Sequence, residues 1–212
     1  MSFDAVFFDF DGTLADSYDA IAASVNHLRS LRGHLPLTTE EVKWHVGRGP
    51  EHLLTQTVPG TVLAIDLPRY RSHHPTVMVE RTRLLPGAAS VLQTLHRAGK
   101  KIALCSNKPR IFSSELLKQL RIADHFHAIV GPEDVPQPKP APDMIVVTLE
   151  RLNVSRERVL YVGDMVVDIE TARAAGVTVW IVPTGSDRLE TLVAAQPDRM
   201  LANLDEIVQR VL

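Results

Sequence analysis

The chain has 212 residues, of which 45% are hydrophobic and 23% charged, with a mean hydropathy of +0.01. This composition excludes a disordered, collagen-like or coiled-coil chain, and the length fits one domain or one domain that carries an insertion. The formal net charge of −2 predicts no nucleic-acid partner and no membrane surface, and no apolar run reaches the ~18 residues that cross a bilayer.

The cysteine content and the first residues predict where the protein resides. The one cysteine, Cys105, has no second cysteine for an internal disulfide, which is typical of a reducing compartment. The start of the chain, Met1-Ser2-Phe3-Asp4, lacks the basic region of a signal peptide. We therefore expect a soluble cytoplasmic protein, either a monomer or a homodimer.

The first predicted element is a short strand buried on both faces. Residues 5–8 are a continuous apolar run that stops at Asp9-Phe10-Asp11-Gly12. The period then changes to that of a helix over residues 17–32, because Ile21, Val25 and the leucines that follow recur at helical spacing.

The sequence between Leu14 and Leu84 shows helical patterns only. A helix capped by Thr38 or Thr39 follows the first one, and further helical patterns continue from there. A stretch of about 70 residues is large enough to carry its own core, so it predicts a small inserted helical cap over residues 15–83. The core domain is then made of residues 1–14 and 84–212.

Strands and helices alternate in the remainder of the chain. The predicted strands are residues 102–105, 128–130, 159–162 and 177–182, and helical patterns separate them. This alternation predicts an α/β protein with a doubly wound parallel sheet, a Rossmann-like core, because right-handed crossovers return each strand beside its neighbour.

Polar residues follow four of the five predicted strands. They are Asp9 and Asp11, then Ser106 and Asn107, then Lys139, and last Asp164 and Asp168. In open parallel sheets the carboxyl ends of the strands meet at one edge, so we expect these side chains to lie close together.

This set of side chains indicates phosphoryl transfer. Neighbouring carboxylates repel each other unless a cation is present, and hard oxygen ligands with room for water suit Mg²⁺. Lys139 adds positive charge, and Ser106 with nearby N–H groups adds donors for phosphate oxygens. A carboxylate can then attack phosphorus and form an acyl phosphate. Each motif alone has a plainer interpretation as a turn, a helix cap or a solvated lysine; the combination points to the chemistry.

The same motifs resemble those of the haloacid dehalogenase superfamily. The stretch Phe8-Asp9-Phe10-Asp11-Gly12-Thr13-Leu14 is similar to its first motif. Ser106, Lys139 and Gly163-Asp164-Met165-Val166-Val167-Asp168 match its second, third and fourth motifs. The helical insertion falls where that superfamily carries a small helical cap.

The resemblance implies roles for the acidic residues. Asp9 would be the nucleophile that becomes phosphorylated. Asp11 would protonate the leaving oxygen and then activate the hydrolytic water. Asp9, Asp164 and the backbone carbonyl of Asp11 would bind Mg²⁺. An acid at the position of Asp11 argues against dehalogenase chemistry, since that branch lacks one.

The resemblance also implies roles for the residues around them. Ser106 and the backbone of Asn107 would hold phosphate oxygens, and Thr13 would orient the loop of Asp11 in the phosphate-binding region. Lys139 would neutralise charge on the nucleophile and the phosphate. Asp168 would position Lys139 or a metal-bound water.

Within the superfamily, three stretches resemble phosphoglycolate phosphatases. They are Asp16-Ser17-Tyr18-Asp19 leading into Asn26-His27-Leu28-Arg29, then Val46-Gly47-Arg48-Gly49, then Ser106-Asn107-Lys108-Pro109. We hypothesise that Arg48 pairs with the carboxylate of 2-phosphoglycolate, since a guanidinium binds a carboxylate bidentately; the alternative is that Arg48 is merely exposed in a loop. Ile21 stands where mutase-like relatives carry a histidine.

Other substrates and another class of function remain open from the sequence. The same chemistry would serve a sugar phosphate, a nucleotide or pyrophosphate, and a non-catalytic binding protein could keep the fold. The nine histidines show no zinc-binding spacing and are interpreted as surface or interface residues. Cys105 is interpreted as a buried, inert thiol.

Overall fold

A six-stranded parallel sheet forms the centre of the protein. The computed structural model describes residues 3–212, so Met1 and Ser2, on which the signal-peptide prediction partly depends, lie outside the described residues. The strands of this sheet are β1 (Ala5–Phe8), β4 (Lys101–Cys105), β5 (Ala128–Val130), β6 (Val159–Gly163), β7 (Thr178–Ile181) and β8 (Arg199–Met200). Their order is β5-β4-β1-β6-β7-β8 with every neighbouring pair parallel, which confirms the predicted doubly wound fold.

Helices cover both faces of the sheet. Six helices lie in the part of the chain after residue 84: α5 (Ala88–Arg97), α6 (Arg110–Gln119), α7 (Asp143–Leu152), α8 (Val166–Ala175), α9 (Leu189–Ala194) and α10 (Asp205–Val211). Four more come early in the chain: α1 (Tyr18–Leu31), α2 (Thr39–Lys43), α3 (Pro50–Thr57) and α4 (Leu63–Met78). We call residues 18–78, which hold these four, the helical insertion.

Strand β1 shows why an unbroken apolar run belongs at the centre of the sheet. All four of its residues are buried, and they alternate between two separate cores. Val6 and Phe8 face the core that includes α5, whereas Ala5 and Phe7 face the core of α7 and α8. Full burial of a valine or phenylalanine side chain contributes about 1.5–3 kcal/mol.

A short antiparallel pair, β2 (Ala15–Asp16) with β3 (Arg83–Leu84), flanks the helical insertion. Within it, Thr38 accepts a hydrogen bond from the backbone of Glu41, whose side chain accepts one from the backbone of Thr38 in return. This capping box confirms Thr38, rather than Thr39, as the cap of α2.

Two parts of the sequence interpretation were wrong. The stretch between Leu14 and Leu84 is not free of strands, because β2 and the start of β3 lie there. The sheet has a sixth strand, β8, preceded by α9, where only five strands were predicted. Strands of two residues and a helix of six carry too few residues to show a period of 2 or 3.6.

Candidate active site

Asp9 and Asp11 lie directly beyond the end of the central strand. The amide of Asp9 donates to the carbonyl of Val162 at 3.0 Å, which continues the pairing of β1 with β6 by one residue. The chain then turns at Gly12, whose φ is +85°, a conformation that favours glycine. The Asp9 carboxylate is buried, and Asp11 is only partly exposed.

Lys139 joins the carboxylates of two different strand ends. Its Nζ lies 2.7 Å from Oδ1 of Asp168 and 3.0 Å from Oδ1 of Asp9, and all three side chains are buried. Burial alone would lower the pKa of Lys139, but the carboxylates of Asp168 and Asp9 outweigh it and raise that pKa above its ordinary value. The lysine is therefore charged at every physiological pH.

Asp168 fixes the backbone of the loop that follows β6. Its Oδ2 accepts from the amides of Asp164 at 3.1 Å and Met165 at 3.0 Å, while Oδ1 accepts from Lys139. A side chain at Gly163 would overlap the Asp168 carboxylate, so glycine allows this approach. Both oxygens of Asp168 are therefore occupied, which suits the predicted role of positioning Lys139.

The residues present fit a divalent cation. Carboxylate oxygens of Asp9, Asp164 and Asp168 lie within 4.8 Å of one another. Oδ1 of Asp9 and Oδ2 of Asp164 are buried without a hydrogen-bond donor among residues 3–212, apart from the ion-pair contact of Asp9 with Lys139. Hard oxygen atoms left without donors are what Mg²⁺ requires.

Burial has a large effect on these acids. It raises the pKa of Asp9 to about 6 in spite of the opposing Lys139, and with repulsion from Asp168 and Asp9 it raises the pKa of Asp164 well above its usual range. A cation is the natural partner for such a cluster, because three carboxylates here face one ammonium group.

Three other predicted residues surround the cluster. Thr13 donates to Oδ1 of Asp164, so it holds an acidic side chain rather than facing the cavity directly. Ser106 is buried at the end of β4. The Asn107 side chain donates to the carbonyls of Gly47 and Lys139 at 3.0 and 3.1 Å, and so ties the helical insertion to the core.

A cavity opens over Asp9 and Asp11, between the core and the helical insertion. The space between them is about 480 Å³, a volume that includes space open to solvent. Its walls comprise Ile21, Val46, Gly47, Gly49, Pro50, Leu53, Tyr70 and His74 of the insertion, and Ser106, Asn107, Lys108, Pro109 and Phe112 of the core. Arg48 is exposed and is not among them, so its pairing with a substrate remains a prediction that this geometry does not support.

Lys108 is a buried cation to which the sequence motifs assign no role. Its Nζ lies 3.1 and 3.2 Å from the two carboxylate oxygens of Asp11, and its side chain is 4% exposed. Ser17 also donates to Asp11. The signal in the sequence was the position of Lys108, two residues beyond Ser106 at the same strand end.

His74 corrects the interpretation of the histidines as surface or interface residues. It is 1% exposed, lines the cavity and lies between the rings of Tyr70 and Phe112, with centroids 5.2 and 5.1 Å away. Burial lowers its pKa to about 2, so it is neutral. The signal in the sequence was the spacing of His74, four residues after Tyr70 and four before Met78, which places all three on one face of α4.

Comparison with known proteins gives the family. The family model for haloacid dehalogenase-like hydrolases matches residues 6–182. The chain is 38% identical over 178 residues to a phosphoglycolate phosphatase of Cereibacter sphaeroides, covering 81% of each protein. It is 30% identical over 216 residues to one of Nitrosospira multiformis, covering 98% of this chain and 95% of the relative.

Solved structures agree with the sequence relatives. A crystal structure of a haloacid dehalogenase-like hydrolase from Bacteroides fragilis superposes with a TM-score of 0.89 at 30% identity, over 97% of this chain and all of the other. The chain therefore belongs to the haloacid dehalogenase-like hydrolase family. The predicted enzyme class, a phosphatase, is confirmed by these relatives. Among residues 3–212, no helix is both long and apolar enough to span a bilayer.

Proposed function

We propose that this phosphatase is a Mg²⁺-dependent hydrolase of small phosphomonoesters, with 2-phosphoglycolate as its substrate and a phosphorylated Asp9 as its intermediate. The observation that carries the proposal is the position of the Asp9 carboxylate. It lies at the base of the cavity, 3.0 Å from the Lys139 ammonium and beside the unpartnered oxygen of Asp164. The names of the relatives support the substrate.

The two carboxylates at the end of β1 divide the reaction between them. An Asp9 oxygen attacks phosphorus and the bond from phosphorus to the ester oxygen breaks. That oxygen takes a proton from Asp11, which lines the same cavity and enters this step in its protonated form. Asp11 then accepts a proton from the water that attacks the acyl phosphate, so the enzyme returns to its starting state with inorganic phosphate released.

The remaining polar residues stabilise the charge of the transferring group. Lys139 is a fixed positive charge beside the nucleophile, and Ser106 and the amide of Asn107 are donors at the neighbouring strand end. Mg²⁺ held by Asp9, Asp164 and the Asp11 carbonyl would supply further positive charge to the phosphate oxygens.

The helical insertion would act as the cap of this site. Leu53 and Tyr70 of the insertion face Ser106 and Asp9 of the core across one cavity, and a closed cavity excludes water that would compete with the reaction. The proposed cap is residues 15–83 and the catalytic core residues 1–14 and 84–212. A buried free Cys105 fits a cytoplasmic enzyme, and we expect it to act as a monomer or homodimer.

A phosphate-release screen tests the proposal. The purified chain with Mg²⁺ is assayed on 2-phosphoglycolate, sugar phosphates, nucleotides, pyrophosphate and p-nitrophenyl phosphate, and substrates are ranked by kcat/KM. We expect 2-phosphoglycolate to rank first and EDTA to abolish turnover. A higher rank for another phosphomonoester would overturn the substrate, and no turnover of any of them would indicate a binding protein.

A further inference from the structure

Lys108 places a positive charge inside the cavity, next to the proposed general acid. It follows Ser106 and Asn107 after β4, and its Nζ contacts both oxygens of Asp11 while lying 5.9 Å from the centre of the Phe10 ring. With its side chain 4% exposed, the ammonium group has lost most of its water. A buried lysine destabilises the fold unless it is paired. Its carboxylate partner here is Asp11, which we propose to be the general acid.

The walls around Lys108 offer a substrate no other cation. They are largely apolar or aromatic, with Ile21, Leu53, Tyr70 and Phe112 as the large side chains. His74 is neutral, and Arg48 is exposed outside the cavity. Among the described residues 3–212, Lys108 is thus the only positively charged side chain that lines this space.

His74 also lacks the positive charge that binds an anion. Its Nδ1 lies 3.0 Å from the Ser24 hydroxyl oxygen, and its Nε2 has no hydrogen-bond partner among residues 3–212. Because burial keeps the imidazole neutral, Lys108 is the cation available to an anionic leaving group in this cavity.

The position of Lys108 matches an anion close to the ester oxygen. In 2-phosphoglycolate one methylene carbon separates the carboxylate from that oxygen. When Asp11 hydrogen-bonds the ester oxygen of this substrate, the substrate carboxylate therefore comes within reach of Lys108, which contacts Asp11. Binding of the substrate carboxylate to Lys108 would release the Asp11 carboxyl group from its ion pair with Lys108.

We propose that Lys108 is the specificity-determining residue of this phosphatase, binding a carboxylate carried by the leaving group next to the ester oxygen. The inference rests on the proposed function and deepens it. It assigns to Lys108 the contact that the sequence suggested for Arg48, and it defines the substrate class as phosphomonoesters of short hydroxy acids.

The test compares two substrates that differ only at the recognised group. 2-Phosphoglycolate and ethyl phosphate, which carries a methyl group in place of the carboxylate, are assayed with the wild type, Lys108→Met, Lys108→Arg and Arg48→Ala. The discrimination ratio is kcat/KM for the first divided by that for the second. Any effect that Lys108→Met has through Asp11 acts on both substrates and cancels in the ratio.

We expect Lys108→Met to lower the discrimination ratio about 100-fold, the range of a hydrogen bond to a charged group, and Lys108→Arg to restore part of it. Arg48→Ala should leave the ratio at the wild-type value. An unchanged ratio in Lys108→Met, or its loss in Arg48→Ala alone, overturns the inference. Turnover of p-nitrophenyl phosphate by the wild type reports the phosphatase itself. Its absence refutes the proposed function, whereas its presence without discrimination by the wild type refutes only the role of Lys108.

Discussion

Asp168 accepts a 2.7 Å hydrogen bond from Lys139 with one oxygen and the amide hydrogens of Asp164 and Met165 with the other. The Asp168 carboxylate thereby fixes the positions of Lys139, which contacts Asp9, and of the loop that carries Asp164. Of the two acids in the fourth motif, Asp168 is thus the one with both oxygens hydrogen-bonded, and its contacts hold the neighbouring groups in place.

Asp168→Asn should lower activity through its effect on Lys139. The amide cannot neutralise Lys139, so the buried charge loses a partner, which destabilises a fold by about 3–5 kcal/mol when one member of such a pair is removed. We expect kcat to fall about 10- to 100-fold, together with a lower Tm. Glu170→Gln, an exposed change on the same helix, is the matched control. Wild-type kcat in Asp168→Asn would contradict this role.

Asp11→Asn separates the two halves of the reaction. A p-nitrophenolate leaving group needs no proton, so the variant should still release it in a burst while hydrolysing its phosphoenzyme slowly. With an alkyl phosphate, which needs the proton, activity should fall by about 10²- to 10⁴-fold. Stopped-flow absorbance measures the burst, and Asp16→Asn, at an exposed position nearby, is the control. Equal losses on both substrates would remove Asp11 as the general acid.

Mg²⁺ should stabilise the protein more at high pH than at low pH. Burial raises the pKa of Asp9 to about 6, so without metal the folded state favours the protonated acid. Its contribution to stability is present below its ordinary pKa of 3.8 and is lost as the pH rises through about 6. Bound Mg²⁺ offsets that loss, whereas protons compete with it.

Thermal unfolding with Mg²⁺ and with EDTA measures this effect. We expect the Tm increase caused by Mg²⁺ to be larger at about pH 8 than at about pH 5. Asp164→Asn removes one of the unpartnered oxygens and should abolish the increase. An increase of the same size at both pH values, or one that persists in Asp164→Asn, would place the metal elsewhere.

His74 should contribute to acid sensitivity. Burial lowers its pKa from 6.5 to about 2, so the unfolded chain takes up a proton below pH 6.5 that the folded chain does not. Stability from this group is present above pH 6.5 and falls as the pH drops below it. Between about pH 7 and pH 5 the wild type should lose about 2 kcal/mol more than His74→Gln. Urea unfolding at both pH values gives this difference, and parallel losses would show that His74 is protonated in the folded protein.

The sequence was sufficient for the centre of the fold and for the strand-end residues. Residues 5–8 can be buried on both faces only in a central strand, and a parallel sheet brings Asp9, Lys139, Asp164 and Asp168 to one edge without any knowledge of strand order. The order of the strands, and hence the position of β1 between β4 and β6, depends on long-range packing that a local period does not encode.

The cavity was less predictable because two separate segments form it. His74 faces Phe112 only once α4 packs beside α1 over the core, and Lys108 pairs with Asp11 across 97 positions of sequence. The opposite holds for Arg48, which lies in a stretch that resembles phosphoglycolate phosphatases but is exposed in the fold. Residue type alone does not tell which side of a loop faces a cavity.

Trapping of the phosphoenzyme tests the central claim, that Asp9 receives the phosphoryl group. The enzyme is quenched with acid during turnover of p-nitrophenyl phosphate with Mg²⁺, and is then reduced with borohydride, which converts an aspartyl phosphate to homoserine. Peptide mass spectrometry should find homoserine at position 9 and aspartate at position 11, with no conversion in an inactive Asp9→Asn variant. Homoserine at another position, or full turnover by Asp9→Asn, would contradict the account.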